Sequence, residues 1–149
     1  MIILASKSPR RAELLAQIGV NFICEASDVD ETPEAAELAQ DLVLRLAGAK
    51  AQTVSAGHGN DAYVLGADTV ISIDGQILGK PKDQQDAIAM LKQISGRSHQ
   101  VMTAVVLIAN GKEYKAVVVS DVTFAELSNA DLLAYSATDE PYDLSLIHI

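Results

Sequence analysis

The chain has little of what anchors or cross-links many exported proteins. Of its 149 residues only Cys24 is a cysteine, so no disulfide can form within the chain. No apolar run approaches the roughly 20 residues of a membrane-spanning helix, and the N-terminal "MIILAS" is too short and too poor in basic residues for a secretory signal. We therefore expect a cytoplasmic protein in which Cys24, within "VNFICEA", is a buried thiol.

Positive charge is also scarce. The chain has 11 lysines and arginines against 20 aspartates and glutamates, which gives a formal net charge of −9. This balance excludes a general nucleic-acid surface, because non-specific binding to a polyanion needs a basic face that displaces counterions. A polyanion could bind only at a small local cluster of arginine and lysine, helped by a divalent cation.

Internal repeats and low-complexity tracts are absent, and strand-like segments alternate with helix-like ones in a chain of one-domain length. The predicted strands are "IILAS", "VNFICEA", "AYVLGADTVISI", "QILGKP", "HQVMTAVVLIA" and "EYKAVVVSDVTFAEL". The predicted helices cover residues 8–19, 36–55, 83–96 and 128–135. Because Asp74-Gly75 and Asn110-Gly111 predict hairpin turns, the fold class is mixed α/β and not a purely parallel doubly wound sheet.

The first predicted helix carries an unexpected charge pattern. Ser8 is a good N-cap, Pro9 suits the first helical position and Gly19 ends the helix. Arg10 and Arg11 nevertheless lie in the first turn, where exposed amides and the helix dipole favour anions and disfavour cations. Two interpretations follow: the arginines are solvated, or this helix end binds an anion.

A second group of candidates lies in "GADT", where Asp68 and Thr69 interrupt an apolar strand. The aspartate either bonds its own backbone in a bend or acts as a metal ligand or general base, since a rigid strand aims a carboxylate accurately. The residues alone leave both interpretations open.

Further polar residues have both a structural and a functional interpretation. Lys50 borders the apolar stripe of its predicted helix, so it either reaches solvent or points into a cleft. Asp28, Asp30 and Glu31 form an acidic loop in "SDVDETPE" that is either solvated or binds a hard cation. Lys80 in "GKPK" lacks the glycine-rich run of a P-loop, which excludes a P-loop fold and leaves a loop lysine. His99 has no second histidine or cysteine at metal spacing, so we predict a hydrogen-bonded structural histidine.

Several motifs in one order give a more specific indication. They are "ASKSPRR", "VDETP", "RLAGAKA", "LGADTV", "GKP", "SGRSHQVMT" and "SDVTF…L…Y…DEPYD". Together they resemble the Maf family of nucleoside triphosphate pyrophosphatases, once described as septum-formation inhibitors, from Ile3 to Asp143. The resemblance implies a two-lobed α/β fold related to inosine triphosphate pyrophosphatases, with a nucleotide cleft. It also implies a cytoplasmic homodimer that hydrolyses nucleotides between the α- and β-phosphates with Mg²⁺ or Mn²⁺.

Site residues are implied by the resemblance, position by position. The catalytic proton acceptor falls on Asp68, and the metal ligands fall on Glu31 and Asp68. The substrate-binding positions fall on Ser6, Arg10, Arg11, Lys50, Thr69 and Lys80. "SPRR" with "ADT" is similar to the branch acting on dTTP and UTP, and Arg10 and Thr69 correspond to positions that separate this branch from the one acting on 7-methyl-GTP. The alternatives are a non-catalytic nucleotide-binding regulator of septum formation and the same chemistry on modified nucleotides such as 7-methyl-GTP. Neither nucleic acid nor membrane is an expected partner.

The C-terminal residues depart from the family pattern. After "DEPYD" the resemblance predicts a segment similar to "KAGAYGIQG", but the chain has "LSLIHI", with Leu144 in place of lysine. We therefore expect a Maf-like domain over residues 1–143 that lacks its C-terminal part, and an anomalous tail over residues 144–149. No role is assigned to His148 in this tail.

Overall fold

Six strands and four helices make up the part of the chain that the structure, a computed structural model, describes: residues 1–137. "DEPYD" and the tail with Leu144 and His148 lie outside these residues. The strands are β1 (Ile2–Ala5), β2 (Phe22–Cys24), β3 (Tyr63–Ile73), β4 (Gln76–Leu78), β5 (Ser98–Ala109) and β6 (Lys112–Thr123). The helices are α1 (Pro9–Gln17), α2 (Ala39–Ser55), α3 (Gln84–Ile94) and α4 (Asn129–Ser136). None of these helices is long and apolar enough to cross a membrane.

The strands form one mixed sheet in the order β2-β1-β3-β5-β6, with β4 paired to β3. Strand β1 is parallel to both β2 and β3, whereas β4 is antiparallel to β3. Asp74 and Gly75, both at positive φ (50° and 78°), turn the chain between β3 and β4. Asn110 and Gly111 do the same between β5 and β6, with φ of 53° and 75°. The predicted mixed α/β class and both hairpins are confirmed.

The chain divides into two compact units. The first comprises residues 1–69 and 103–118, and the second comprises residues 70–102 and, within the described part of the chain, 119–137. In the first unit the buried face of α2 is apolar and includes Leu42, Val43 and Leu46. In the second unit a core cluster joins β3, β4, α3 and α4 through Ile71, Ile73, Leu78, Leu91, Ile94 and Leu132.

Helix caps follow the sequence signals. The hydroxyl of Ser8 accepts a hydrogen bond from the backbone N–H of Arg11 at 3.4 Å, and Pro9 is the first helical residue of α1. Helix α3 is capped by Asp83, whose carboxylate accepts from the Asp86 N–H at 2.8 Å. A reciprocal capping box of Ser128 and Asp131 opens α4. Each cap satisfies an amide that the helix itself leaves unpaired, which is why these signals are readable locally.

Strands β2 (Phe22–Cys24) and β4 (Gln76–Leu78) are shorter than the predicted "VNFICEA" and "QILGKP", and three further sequence expectations are wrong in detail. Helix α2 begins at Ala39, not at Ala36, because Ala36 takes a left-handed conformation with φ of 58° and Leu38 is extended. The last strand ends at Thr123, not at Leu127, since the Leu127 N–H donates to the Ser95 hydroxyl at 2.7 Å and not to a strand.

Cys24 is the third correction: it is exposed, not a buried thiol. It lies in β2, a strand of three residues at the end of the sheet order that pairs only with β1. Its neighbour Ile23 is also 47% exposed. Apolar alternation in the sequence cannot distinguish a central strand from an edge strand, because both bury one face when they are covered.

Candidate active site

A close approach between α2 and β3 creates the candidate site. Gly66 of β3 lies directly beneath the helix, where a Cβ atom would overlap the carbonyl oxygen of Ala47 and lie 2.9 Å from the backbone nitrogen of Ala51. Only glycine allows this contact, since every other residue would place a carbon there. The contact aligns Lys50, one residue before Ala51, with Asp68, two residues after Gly66 on the same face of β3.

Lys50 and Asp68 form a buried ion pair. The Lys50 Nζ lies 3.0 Å from Asp68 Oδ1, and each side chain is only 10% exposed. Glu31 adds a second carboxylate, with its Oε1 2.9 Å from the same ammonium. The Glu31 side chain is 53% exposed, so the loop before α2 brings a solvent-facing carboxylate to a buried lysine. Of the two interpretations of Lys50, the inward one is therefore correct, because its side chain points to the carboxylates and not to solvent.

Of the two carboxyl groups that contact Lys50, which together with Lys50 form the carboxylate cluster, Asp68 has the more unusual surroundings. Burial raises the pKa of Asp68, because a charged carboxylate loses hydration, while Lys50 and Arg11 oppose the shift. Its Oδ2 is buried and has no hydrogen-bond partner among the described residues. Buried carboxylate oxygens are nearly always hydrogen-bonded, so an unpartnered one indicates a group that awaits a proton donor, a water or a cation.

The start of α1 contributes a cation to the same unit. Arg11 Nη1 donates to the Ser6 hydroxyl at 3.2 Å, and the same oxygen accepts from the Ser8 N–H at 3.1 Å. Burial lowers the pKa of Arg11, and the charges of Asp68 and Glu31 oppose that shift. Ser6 is itself buried. Arg11 is therefore held in place by a local contact and faces the carboxylates of the cluster.

Arg10 has different surroundings. Its guanidinium lies 3.6 Å from Glu13 on the same helix, and its side chain is 41% exposed. The two adjacent arginines of "SPRR" therefore differ, since Arg11 is part-buried against Ser6 and Arg10 forms an exposed pair along α1.

Two predicted substrate-binding residues lie elsewhere. Thr69 follows Asp68 in β3, so its side chain points to the opposite face of the strand, where its hydroxyl lies 3.1 Å from the Thr103 hydroxyl. Lys80 belongs to the second unit, in the exposed residues after β4, and its part in phosphate binding stays a prediction.

Sequence reasoning missed Gly66 and Thr103, although both lie in motifs that it singled out. A glycine inside an apolar strand does indicate a close backbone approach, and this signal could have identified Gly66. Nothing in the sequence pairs Thr103 with Thr69, since they are 34 residues apart.

His99 is buried, packs edge-to-face on Phe124 at 5.0 Å and has its pKa lowered by burial. Its Nδ1, however, has no hydrogen-bond partner among residues 1–137, so the expected bond is missing at that atom.

The donor set fits a hard divalent cation. Among residues 1–137 no three His, Cys, Asp or Glu side chains are grouped to hold a metal, so this part of the chain offers a cation the two carboxylates of Glu31 and Asp68. The unpartnered Oδ2 of Asp68 is one free ligand position. Mg²⁺ is typically held by one or two carboxylates, with phosphate oxygens and water completing the coordination. The two carboxylates therefore fit a cation whose remaining ligands are water or phosphate oxygens.

Comparison with solved structures gives the fold class. The fold resembles a dITP/XTP pyrophosphatase from Mycobacterium abscessus, with a TM-score of 0.53 and 17% identity over 82% of this chain and 73% of that one. The Staphylococcus aureus Ham1 protein gives the same TM-score at 14% identity, covering 82% of this chain and 71% of its own. The architecture is thus that of this group of α/β proteins.

Sequence comparison gives the family. Residues 1–145 match the Maf-like protein family, and the chain belongs to it. A dTTP/UTP pyrophosphatase from Colwellia psychrerythraea is 47% identical over 146 residues, which are 95% of this chain and 69% of the relative. A nucleoside triphosphate pyrophosphatase from Haemophilus ducreyi is 49% identical over 144 residues, 94% of this chain and 73% of its own length. The Escherichia coli K12 dTTP/UTP pyrophosphatase is 46% identical over 140 residues, covering 94% of this chain and 71% of the relative.

Proposed function

We propose that this chain is a nucleoside triphosphate pyrophosphatase that hydrolyses dTTP and UTP to the monophosphate and pyrophosphate. The observation that carries the proposal is the buried Lys50–Asp68 pair with the unpartnered Oδ2, in a chain 46–47% identical to several relatives named dTTP/UTP pyrophosphatase. A buried carboxylate beside two cations is suited to a reaction in which a phosphate anhydride is attacked by water.

Asp68 accepts the proton of the attacking water. Water adds across the anhydride between the α- and β-phosphates, the bridging P–O bond breaks, and pyrophosphate leaves. Because burial raises the pKa of Asp68, its carboxylate is a stronger base than that of an exposed aspartate, while the charges of Lys50 and Arg11 favour the ionised form that accepts the proton.

Cations of the chain stabilise the charge that develops on the phosphates. A triphosphate carries roughly four negative charges near neutral pH, and phosphoryl transfer is catalysed mainly by positioning and electrostatic stabilisation. Arg11 is held by the Ser6 hydroxyl at the N-terminus of α1, so its guanidinium and the helix dipole act on the same anion. Lys50, which contacts both carboxylates, supplies a further positive charge.

A divalent cation belongs to the proposal. Glu31 and Asp68 would hold Mg²⁺ or Mn²⁺, which when bound neutralises phosphate charge and acidifies water. The resemblance to the family further supports a cytoplasmic homodimer, and light scattering of the purified chain would test the dimer.

A substrate panel tests the function. The chain is incubated with dTTP, UTP, CTP and 7-methyl-GTP in Mg²⁺ or Mn²⁺, and pyrophosphate and monophosphate are quantified. We expect both products in equal amounts, fastest from dTTP and UTP. Release of orthophosphate would contradict the bond cleaved, and faster turnover of 7-methyl-GTP would contradict the substrate. Tight nucleotide binding without any product would support the regulator of septum formation instead.

A further inference from the structure

We propose that Lys50 is an internal counter-ion that occupies the Glu31–Asp68 cation site until a divalent cation replaces it, and that this exchange releases its ammonium to bind phosphate. The proposal deepens the proposed function and rests on it, because the exchange prepares the site for a nucleotide that carries a metal ion. It assigns Lys50 two successive partners where the family resemblance assigns only phosphate.

The contacts of Lys50 are the first argument. Its ammonium is 2.9 Å from Glu31 and 3.0 Å from Asp68, so one cation neutralises two carboxylates that belong to different parts of the chain. Both distances are those of charge-assisted hydrogen bonds. Two of the three N–H donors of the ammonium are directed at these carboxylates, and two negative charges in contact with it offset its attraction for a phosphate. Releasing the ammonium from the carboxylates would therefore strengthen its binding to phosphate.

The identity of the two partners is the second argument. Glu31 and Asp68 are the residues that fit a divalent cation, so Lys50 Nζ and the cation compete for the same oxygens. Asp68 is only 7% exposed. The contact with Lys50 leaves its Oδ2 without a hydrogen-bond partner in the described part of the chain, so this oxygen is open to a bound cation. Lysine satisfies one oxygen of Asp68, whereas a metal ion can use either.

The two partners differ in exposure, which gives the side from which a cation approaches. Asp68 is buried on β3, while Glu31 lies in the loop before α2 with its side chain 53% exposed. Lys50 reaches the pair from α2 on a flexible four-carbon stem. An incoming cation can therefore approach from the solvent side, where Glu31 is accessible, and displace the Lys50 ammonium without moving either α2 or β3.

Metal binding without nucleotide tests the proposal. Mn²⁺ affinity is measured by electron paramagnetic resonance on the purified chain and on Lys50→Gln, which removes the charge but keeps an amide donor for Asp68. We expect Lys50→Gln to bind Mn²⁺ at least about tenfold more tightly, because a competing unit charge in direct contact with both carboxylates has been removed. Lys50→Arg, which keeps the charge, is expected to stay within about twofold of the unchanged chain.

Lys7→Met is the matched control for charge alone. Lys7 Nζ lies 2.6 Å from Asp28 Oδ1, and Asp28 belongs to the same loop as Glu31. The exposed Lys7 side chain forms no described hydrogen bond or ion pair with Glu31 or Asp68. We expect Lys7→Met to leave Mn²⁺ affinity within about twofold, since an exposed charge is largely screened. Equal tightening in Lys7→Met and Lys50→Gln would overturn the proposal, as would an unchanged or weaker affinity in Lys50→Gln.

Thermal unfolding provides a second readout if Lys50→Gln folds poorly. Lys50→Gln leaves the buried Asp68 without its counter-ion, so the variant is expected to be less stable, and a bound cation should restore stability by mass action. We expect Mn²⁺ to raise the melting temperature of Lys50→Gln more than that of the unchanged chain, and the double variant Lys50→Gln/Asp68→Asn to lose this difference. An equal rise in all three would contradict the exchange. Because neither readout uses hydrolysis, a failure to release pyrophosphate would not alter either result.

Discussion

Gly66 of β3 and Ala47 of α2 approach so closely that a Cβ atom on Gly66 would overlap the Ala47 carbonyl oxygen. This contact fixes the height at which the helix lies above the strand, and Lys50 and Asp68 face each other across it. The position of the candidate site thus depends on an atom that glycine lacks.

Gly66→Ala is expected to destabilise the chain by about 1–3 kcal/mol, the usual cost of inserting a methyl group into a packed core. Backbone atoms of Ala47 and Ala51 surround the inserted carbon and cannot rotate away. Urea unfolding followed by circular dichroism measures the change.

Gly48→Ala is the matched control, because Gly48 is a buried glycine of the same helix. A Cβ at this position would meet only Val106 Cγ2, at an ordinary contact distance of 3.9 Å. We expect no loss, or a gain of up to about 1 kcal/mol from higher helix propensity. If both variants were equally destabilised, the close approach at Gly66 would not be the cause.

Asp68→Asn is expected to lower pyrophosphate release from dTTP by about 10²–10⁴-fold, the usual contribution of a general base, while the fold is retained. The amide keeps the shape of the side chain but accepts no proton and binds cations poorly. Product release and a thermal unfolding curve are both measured. Asp61→Asn, an exposed acid in the residues before β3, serves as the control and should retain full activity. A retained rate in Asp68→Asn would remove Asp68 from the mechanism.

The acidic limb of the pH profile of kcat/KM should report the ionisation of the same residue, Asp68. A general base must be ionised, so kcat/KM should fall as pH decreases through the pKa of Asp68. Burial raises this pKa above the ordinary aspartate value of 3.8, so the limb should lie at a higher pH than for an exposed aspartate. Lys50 and Arg11 lower the pKa, and therefore Arg11→Gln should move the limb to still higher pH. A shift in the opposite direction would contradict the electrostatic assignment.

Arg10 and Arg11 should differ when each is replaced by alanine. Arg11 is held against Ser6 and faces the carboxylates, so Arg11→Ala should lower kcat/KM for every nucleotide by a similar factor. Arg10 is half-exposed and pairs with Glu13, so Arg10→Ala should instead change the ratio between dTTP, UTP and CTP. The measurement is kcat/KM for each nucleotide. Equal losses for all nucleotides in Arg10→Ala would disprove this division of roles.

The acid stability of the chain should depend on Glu37. Hydrogen bonds from Arg45 and from the Glu34 N–H lower the pKa of Glu37 from 4.5 to about 2. Because the pKa is lower in the folded chain than in the unfolded one, this stabilisation is present above pH 4.5 and is lost as pH falls toward 2. Glu37→Gln should flatten the pH dependence of the melting temperature in this window. Glu34→Gln, whose carboxylate is 3.9 Å from Arg45 and 71% exposed, should keep the dependence of the unchanged chain.

Local signals predicted most of the secondary structure. Caps at Ser8, Asp83 and Ser128 and turns at Asp74-Gly75 and Asn110-Gly111 involve residues only a few positions apart, so the sequence contains all of the relevant contacts. The start of α2 was mispredicted because its apolar spacing continues upstream of Ala39, where Ala36 takes a left-handed conformation and Leu38 is extended.

By itself, the sequence determined the helix caps, the hairpins, the mixed class of the sheet and the residues that carry the Maf motifs. Only the tertiary structure decided that Lys50 points inward to Asp68, 18 residues away, that Glu31 meets the same ammonium, and that Cys24 is exposed on an end strand. The reason is physical: a cap or a turn is closed by atoms of neighbouring residues, whereas an ion pair and the burial of a side chain depend on which distant elements pack against each other.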